Sequence, residues 1–116
     1  MYFVDFTNIL EGMGGNWKIT SDVPVDENNL YVCNYNMNVR SGAGTNYDIK
    51  KVQDLTPNGQ ENATSSNPND PAIYKQGTIF TCYEKITSSD GSIWAKTPSG
   101  YVCLIGESGT IYCSKC

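Results

Sequence analysis

Histidine is absent from the 116 residues. That excludes a Ser-His-Asp triad, a Cys-His nucleophile pair, His-ligated zinc and haem held by His. Basic residues are few, 8 against 12 acidic ones, and Arg40 is the only arginine. A net charge of -4 and a pI near 4.5 disfavour a protein that grips a phosphate backbone, so nucleic acid is not expected as a partner. No apolar run approaches the ~18–20 residues that span a bilayer, so no membrane partner is expected either. The start, MYFVDFTNILEG, has neither a basic n-region nor a long apolar core. The expectation is a chain made in the cytoplasm without a signal peptide.

What is present is polar without being charge-rich. Charged residues are 17% of the chain, mean hydropathy is -0.41, and Tyr (8) and Gly (11) are abundant. The length gives about one domain with one small core. The composition favours strands over helices and a binding module over an enzyme.

Five cysteines are present, an odd number, so at least one cannot pair within the chain. Cys113 and Cys116 have the spacing of half a zinc knuckle or a redox pair. The second metal half is missing, and the pair closes the chain rather than opening a helix after a strand. The favoured reading makes Cys33, Cys82 and Cys103 small hydrophobes inside strands. Cys113 and Cys116 are then tail residues, bridged only in an oxidising medium. No metal and no cofactor is expected.

Period two is the clearest signal. In YVCNYNMNVR (31–40), Tyr31, Cys33, Tyr35, Met37 and Val39 share one face, and polar residues dominate the other. A Gly-containing turn (41–46) follows, then a short strand or turn (47–52). Residues 54–71 have no periodic apolar set and three prolines, and read as a long polar loop with weak order. Its Asn62-Ala63-Thr64 sequon is read as chance. Strands are expected at 78–86, 92–97, 101–105 and 110–113, separated by the turn signals 88–91, 98–100 and 106–109. The expected core is Tyr35, Met37, Val39, Phe80, Cys82, Ile86, Val102 and part of Trp94. Residues 1–30 differ in pattern, with strand-like runs at 2–6 and 17–20, a Gly-rich stretch at 9–15 and a linker at 24–29. They form an N-terminal extension, linker or oligomerisation segment, dispensable for folding of the domain at 31–116.

Four pieces in order resemble the bacterial SH3 (SH3b) domain. Residues 37–48, MNVRSGAGTNYD, resemble the family's "LNVRSGPGTNY" stretch. Residues 75–83 are similar to its "KGTKVTV" strand, 90–96 to "DGWYKV", and 99–103 to "GWVH". The resemblance implies an all-β chain, a small antiparallel SH3-like barrel carrying the N-terminal extension and the long polar loop. It further resembles the C-terminal modules of endolysins from phages of Firmicutes and of bacterial autolysins. The implied role is non-catalytic binding of peptidoglycan, either its glycan, its peptide stem or an associated wall polymer. The module would target a lytic enzyme to Gram-positive cell walls.

A barrel of that kind offers grooves lined by aromatic and polar groups. The candidates are Tyr47, Tyr74, Trp94 and Tyr101 for stacking on sugar C–H faces, and Asn46, Asp48 and Asp90 as polar partners. Trp94 and Tyr101 are equally readable as core aromatics. Arg40 is either a fork for a carboxylate or phosphate, or a structural donor to turn carbonyls. Gly42 and Gly44 are read as turn residues supplying positive φ. No pair of carboxylates stands out at glycosidase separation. Two further readings stay open: a small hydrolase domain, and a structural protein that forms homo-oligomers through residues 1–30.

Overall fold

The computed structural model describes residues 21–22 and 29–116. The expectations for 2–6, 9–15, 17–20 and 24–28 lie outside the described residues. Among the described residues nine short strands carry the fold: β1 (Ser21–Asp22), β2 (Leu30–Cys33), β3 (Met37–Asn38), β4 (Ile73–Tyr74), β5 (Ile79–Thr81), β6 (Glu84–Thr87), β7 (Ile93–Lys96), β8 (Tyr101–Ile105) and β9 (Cys113–Lys115). They make three sheets, ordered β1-β5-β2-β9, β3-β4 and β6-β7-β8. Every pairing is antiparallel except β1 with β5. The all-β class holds, and among the described residues no closed barrel forms, the three sheets staying separate ladders.

Two bends cause the separation. The run expected as one strand from Tyr31 to Arg40 breaks at Asn34 and Tyr35. Asn34 turns its side chain to Ser114 Oγ (2.8 Å), and Asn36 Oδ1 accepts from Gln76 N (2.8 Å). Asparagine side chains thus compete with the ladder for backbone partners. The expected core residue Tyr35 is therefore 53% exposed, which corrects the inward placement that strict alternation requires. The run 78–86 likewise divides at Cys82 and Tyr83 into β5 and β6.

The core sits between the sheets. Phe80 is fully buried with its ring near parallel to those of Tyr31 (centroids 6.2 Å apart) and Tyr74 (6.0 Å). Val39, Ala95, Val102 and Leu104 belong to the same buried cluster. Met37, Val39, Phe80, Cys82, Trp94 and Val102 are buried as expected, whereas Ile86 is half-buried.

Residues 54–71 depart furthest from expectation. Within the long polar loop they hold a short helix, α1 (Pro57–Glu61). Thr56 caps it by accepting from Gly59 N (3.0 Å), and Pro57 occupies the first turn, where a missing N–H costs nothing. Leu55, Ala63 and Ala72 are buried in the core, so three small apolar residues anchor a polar segment. The sequon residue Asn62 is itself buried, its amide donating to Asn58 O (2.8 Å), which leaves no free glycosylation acceptor. Among the described residues no helix is long and apolar enough to cross a membrane.

β1 and Leu30 lie inside the segment assigned to the N-terminal extension. β1 pairs with β5, and Leu30 is a buried part of β2, so the sheet reaches into 1–30.

Phe80→Ala should cost about 3–5 kcal/mol in urea unfolding, because it removes the central ring of a three-ring stack. A loss under about 1 kcal/mol would place the ring outside the core. Thr78 is 2% exposed and its hydroxyl has no partner among the described residues. Thr78→Val should leave stability unchanged or raise it by up to about 1 kcal/mol, because the unpaired buried hydroxyl is removed at constant shape.

Candidate functional site

Arg40 ties the sheets together through its backbone. Its N–H donates to Tyr101 O (2.8 Å) and its carbonyl accepts from Tyr101 N (2.9 Å), joining the end of β3 to β8. Gly100, at φ +153, lets this approach occur: a Cβ there would meet Arg40 O and Val39 Cγ1 at 2.8 Å. The Arg40 side chain turns back on the 41–46 turn, with Nη1 donating to Tyr47 O (2.9 Å) and Thr45 O (3.3 Å). The structural reading of Arg40 is therefore realised, with the guanidinium also forming part of a groove wall. Gly42 is required by close approach, not by positive φ, because a Cβ there would sit 2.5 Å from the Tyr47 ring; Gly44 does adopt positive φ.

The groove encloses about 490 Å³. Its lining comes from the bend and the residues through Arg40 (Tyr35, Asn36, Asn38, Arg40), from Glu107 and Tyr112, and from β7 and β8, whose Trp94 and Cys103 form the floor. Tyr35 and Tyr112 meet edge to face at its mouth, with centroids 6.0 Å apart and planes at 74°. Tyr112 can lie there because residue 106 is glycine; a Cβ would come within 2.9 Å of the Tyr112 ring.

A three-residue relay supports the floor. The indole N–H of Trp94 donates to Ser92 Oγ (2.8 Å), and the Ser92 hydroxyl donates to Asp90 Oδ1 (2.5 Å). Asp90 also accepts from Ser92 N (2.9 Å), an Asx turn that closes the 88–91 hairpin. These donors hold the Asp90 carboxyl below the usual carboxylate range. The Cys103 thiol is pushed up to about 11, first by burial and then by its neighbour Cys113. At neutral pH the groove therefore presents an ionised carboxylate and a protonated, weakly nucleophilic thiol. Among the described residues no group of three or more Cys, Asp or Glu is arranged to hold a metal ion.

Of the residues expected at a site, Arg40, Asp90 and Trp94 line this groove, although Trp94 is only 2% exposed and serves as floor. Asn46 and Tyr47 lie exposed on the neighbouring turn. Asp48 lines a separate, shallower concavity with Lys50 and Lys51. Tyr101 is half-buried on β8 and lines neither. Tyr74 is a correction: it is fully buried against Phe80, its hydroxyl 3.4 Å from Thr97 Oγ1, and meets no solvent. Tyr35, Asn36, Glu107 and Tyr112 were not among the expected residues. The asparagines flanking Tyr35 are the signal that could have exposed it, since they mark where the strand yields to a bend.

Comparison with protein-family models, with curated proteins and with solved structures finds no match to this chain.

The Asp90 relay gives a pH expectation. A depressed native value means the stabilisation is present above the unfolded value of about 3.9 and is lost as pH falls through the native one. Trp94 should thus report a constant environment from pH 8 to about 5. Below about 4, emission assigned to it with a Trp94→Phe control should change as Asp90 is protonated, and Asp90→Asn should abolish that acid transition. A Trp94 transition centred near pH 6 would contradict the relay.

Proposed function

We propose that the chain is a non-catalytic module that binds the cell wall of Gram-positive bacteria, as the targeting part of a phage endolysin or bacterial autolysin. The observation that carries this reading is the composition of the groove. Three of the four segments that resemble the SH3b domain meet in it: 37–48 supplies Asn38, Arg40 and Thr45; 90–96 supplies Asp90, Ser92 and Trp94; 99–103 supplies Cys103. Segments apart in sequence, chosen for their likeness to a wall-binding family, converge on one concavity.

The chemistry of the groove fits a glycan–peptide ligand. Tyr35 and Tyr112 offer ring faces and edges to sugar C–H groups. Asn36 and Asn38 offer amides to hydroxyls and peptide groups, while Arg40, Asp90 and Glu107 in the lining suit a ligand carrying both carboxylate and ammonium groups. About 490 Å³ lies in the range of small-ligand sites. Catalysis has little to work with: a thiol kept protonated, a carboxylate kept ionised and no histidine. The wall is a repeating polymer, so modest affinity per site suffices where several modules engage it together.

Sedimentation with purified walls from a panel of Gram-positive species tests the proposal. The protein should pellet with at least some walls and leave their turbidity unchanged. Tyr35→Ala should weaken binding by about 1–2 kcal/mol, roughly 5- to 30-fold, with little effect on unfolding, because that ring is largely exposed. Failure to pellet with any wall, or clearing of walls by the protein alone, would overturn the reading.

A further inference from the structure

All five cysteines are free thiols, and three of them, Cys33, Cys103 and Cys113, are neighbours. Cys33 on β2 and Cys113 on β9 are direct cross-strand partners. The backbone of Cys33 bonds the other way, its N–H to Thr78 O (2.9 Å) and its carbonyl to Gly77 N (2.8 Å). Cys33 and Cys113 therefore form a non-hydrogen-bonded antiparallel pair, the position where Cα atoms approach to about 4.5 Å and side chains lie closest. That spacing is within the range a disulfide spans. The two cysteines face each other across the ladder, and Cys113 Sγ donates to Cys103 O (3.5 Å).

The pair suggested by sequence spacing is excluded by the same strand. Cys113–Lys115 is extended, so Cys113 and Cys116 stand three residues, about 10 Å, apart along it. A bridge needs Cα atoms within about 7 Å. Closing it would dismantle β9.

We propose that Cys33 and Cys113 are a redox site, a cross-strand dithiol that closes to a Cys33–Cys113 disulfide on meeting a small-molecule disulfide. One protein thiol, as thiolate, attacks a sulfur of the oxidant, forms a mixed disulfide and releases one small thiol. The second protein thiol then attacks the protein sulfur of that mixed disulfide and releases the other small thiol. Two electrons and two protons pass from the protein to the oxidant, which is reduced to two thiols.

Access controls the reaction. Both thiols are buried, and contact with Cys113 together with burial pushes Cys33 far above the ordinary thiol range, so the closed structure holds little thiolate. Among the described residues β9 lies at the edge of its sheet, with β2 as its only strand neighbour there. Release of β9 is the local opening that exposes Cys113, and re-pairing of β9 returns it to Cys33. The product joins residues distant in sequence in their native register, so it is expected to stabilise the fold. The inference does not depend on what the groove binds.

The test is incubation of the full chain with oxidised glutathione at neutral pH, followed by alkylation of remaining thiols and peptide mapping. The expected product has lost two hydrogens, carries a Cys33–Cys113 link, and melts roughly 5–15 °C higher than the reduced protein. Its formation should accelerate several-fold in urea too dilute to unfold the protein. Cys116→Ser should form the same link, and Cys33→Ala should lose both the link and the rise in Tm. A link mapping to Cys113 and Cys116, glutathione adducts with no internal link, or a lower Tm after oxidation would each overturn the proposal.

Discussion

Phe80 packs near parallel to two tyrosine rings, and the remaining architecture follows from where those rings come from. Tyr31 is its cross-strand neighbour on β2, and Tyr74 arrives from β4 in a different sheet. The stack therefore fixes one sheet against another, not only one strand against its neighbour. Burial of each aromatic side chain is worth several times the net gain of a typical hydrogen bond. The chain accordingly accepts broken ladders at 34–36 and 82–83 to keep the rings together. Strands of two to five residues are too short to form a sheet that stands alone, and here they stand because the stack and its aliphatic neighbours bind them into one core.

The groove is a consequence of the first of those bends. Had the alternation of 31–40 continued, Tyr35 would point inward and the wall it now makes would not exist. The bend turns it out to meet Tyr112, while Arg40, a few residues on, returns the chain to β8. Arg40 thus does two jobs at different levels. Its peptide group bridges two sheets, and its guanidinium holds the carbonyls of the turn beside the groove.

Strands β7 and β8 were legible because glycine, proline and Asx-turn chemistry mark their ends, and local turn rules decide hairpins. Phe80, Val39 and Val102 were legible because alternation survives where no side chain competes for the backbone. Three things were not. Tyr35 depends on asparagine side chains bonding to residues 114 and 76, contacts that no local pattern contains. Helix α1 has only five residues and draws its anchorage from Leu55, Ala63 and Ala72, too sparse to show as periodicity. Tyr74 looked like a surface aromatic because it borders a polar segment, and only the tertiary placement of Phe80 buries it. For the site, charge and turn signals located Arg40 and Asp90, whereas Tyr112 reaches the groove through its neighbours in space.

β9 connects the redox chemistry to the groove. Successive residues of a strand point to opposite sides, so the chain that sends Cys113 inward to Cys33 sends Tyr112 outward to Tyr35. With both thiols reduced, Tyr112 is held by the Tyr112 N–H to Leu104 O bond (2.8 Å), the bond from Asn34 N to its own carbonyl (2.8 Å) and the packing of β9. Each such bond contributes about 1 kcal/mol net, so an edge strand of three residues opens far more often than the core does. A covalent link at the adjacent residue removes that opening and fixes one wall of the groove. The geometry of Tyr112 in the closed state stays the same, but the entropy lost when a ligand orders that wall is lost beforehand. Oxidation would then tighten any ligand whose contacts include Tyr112 and leave unchanged one that touches only Tyr35 and Arg40.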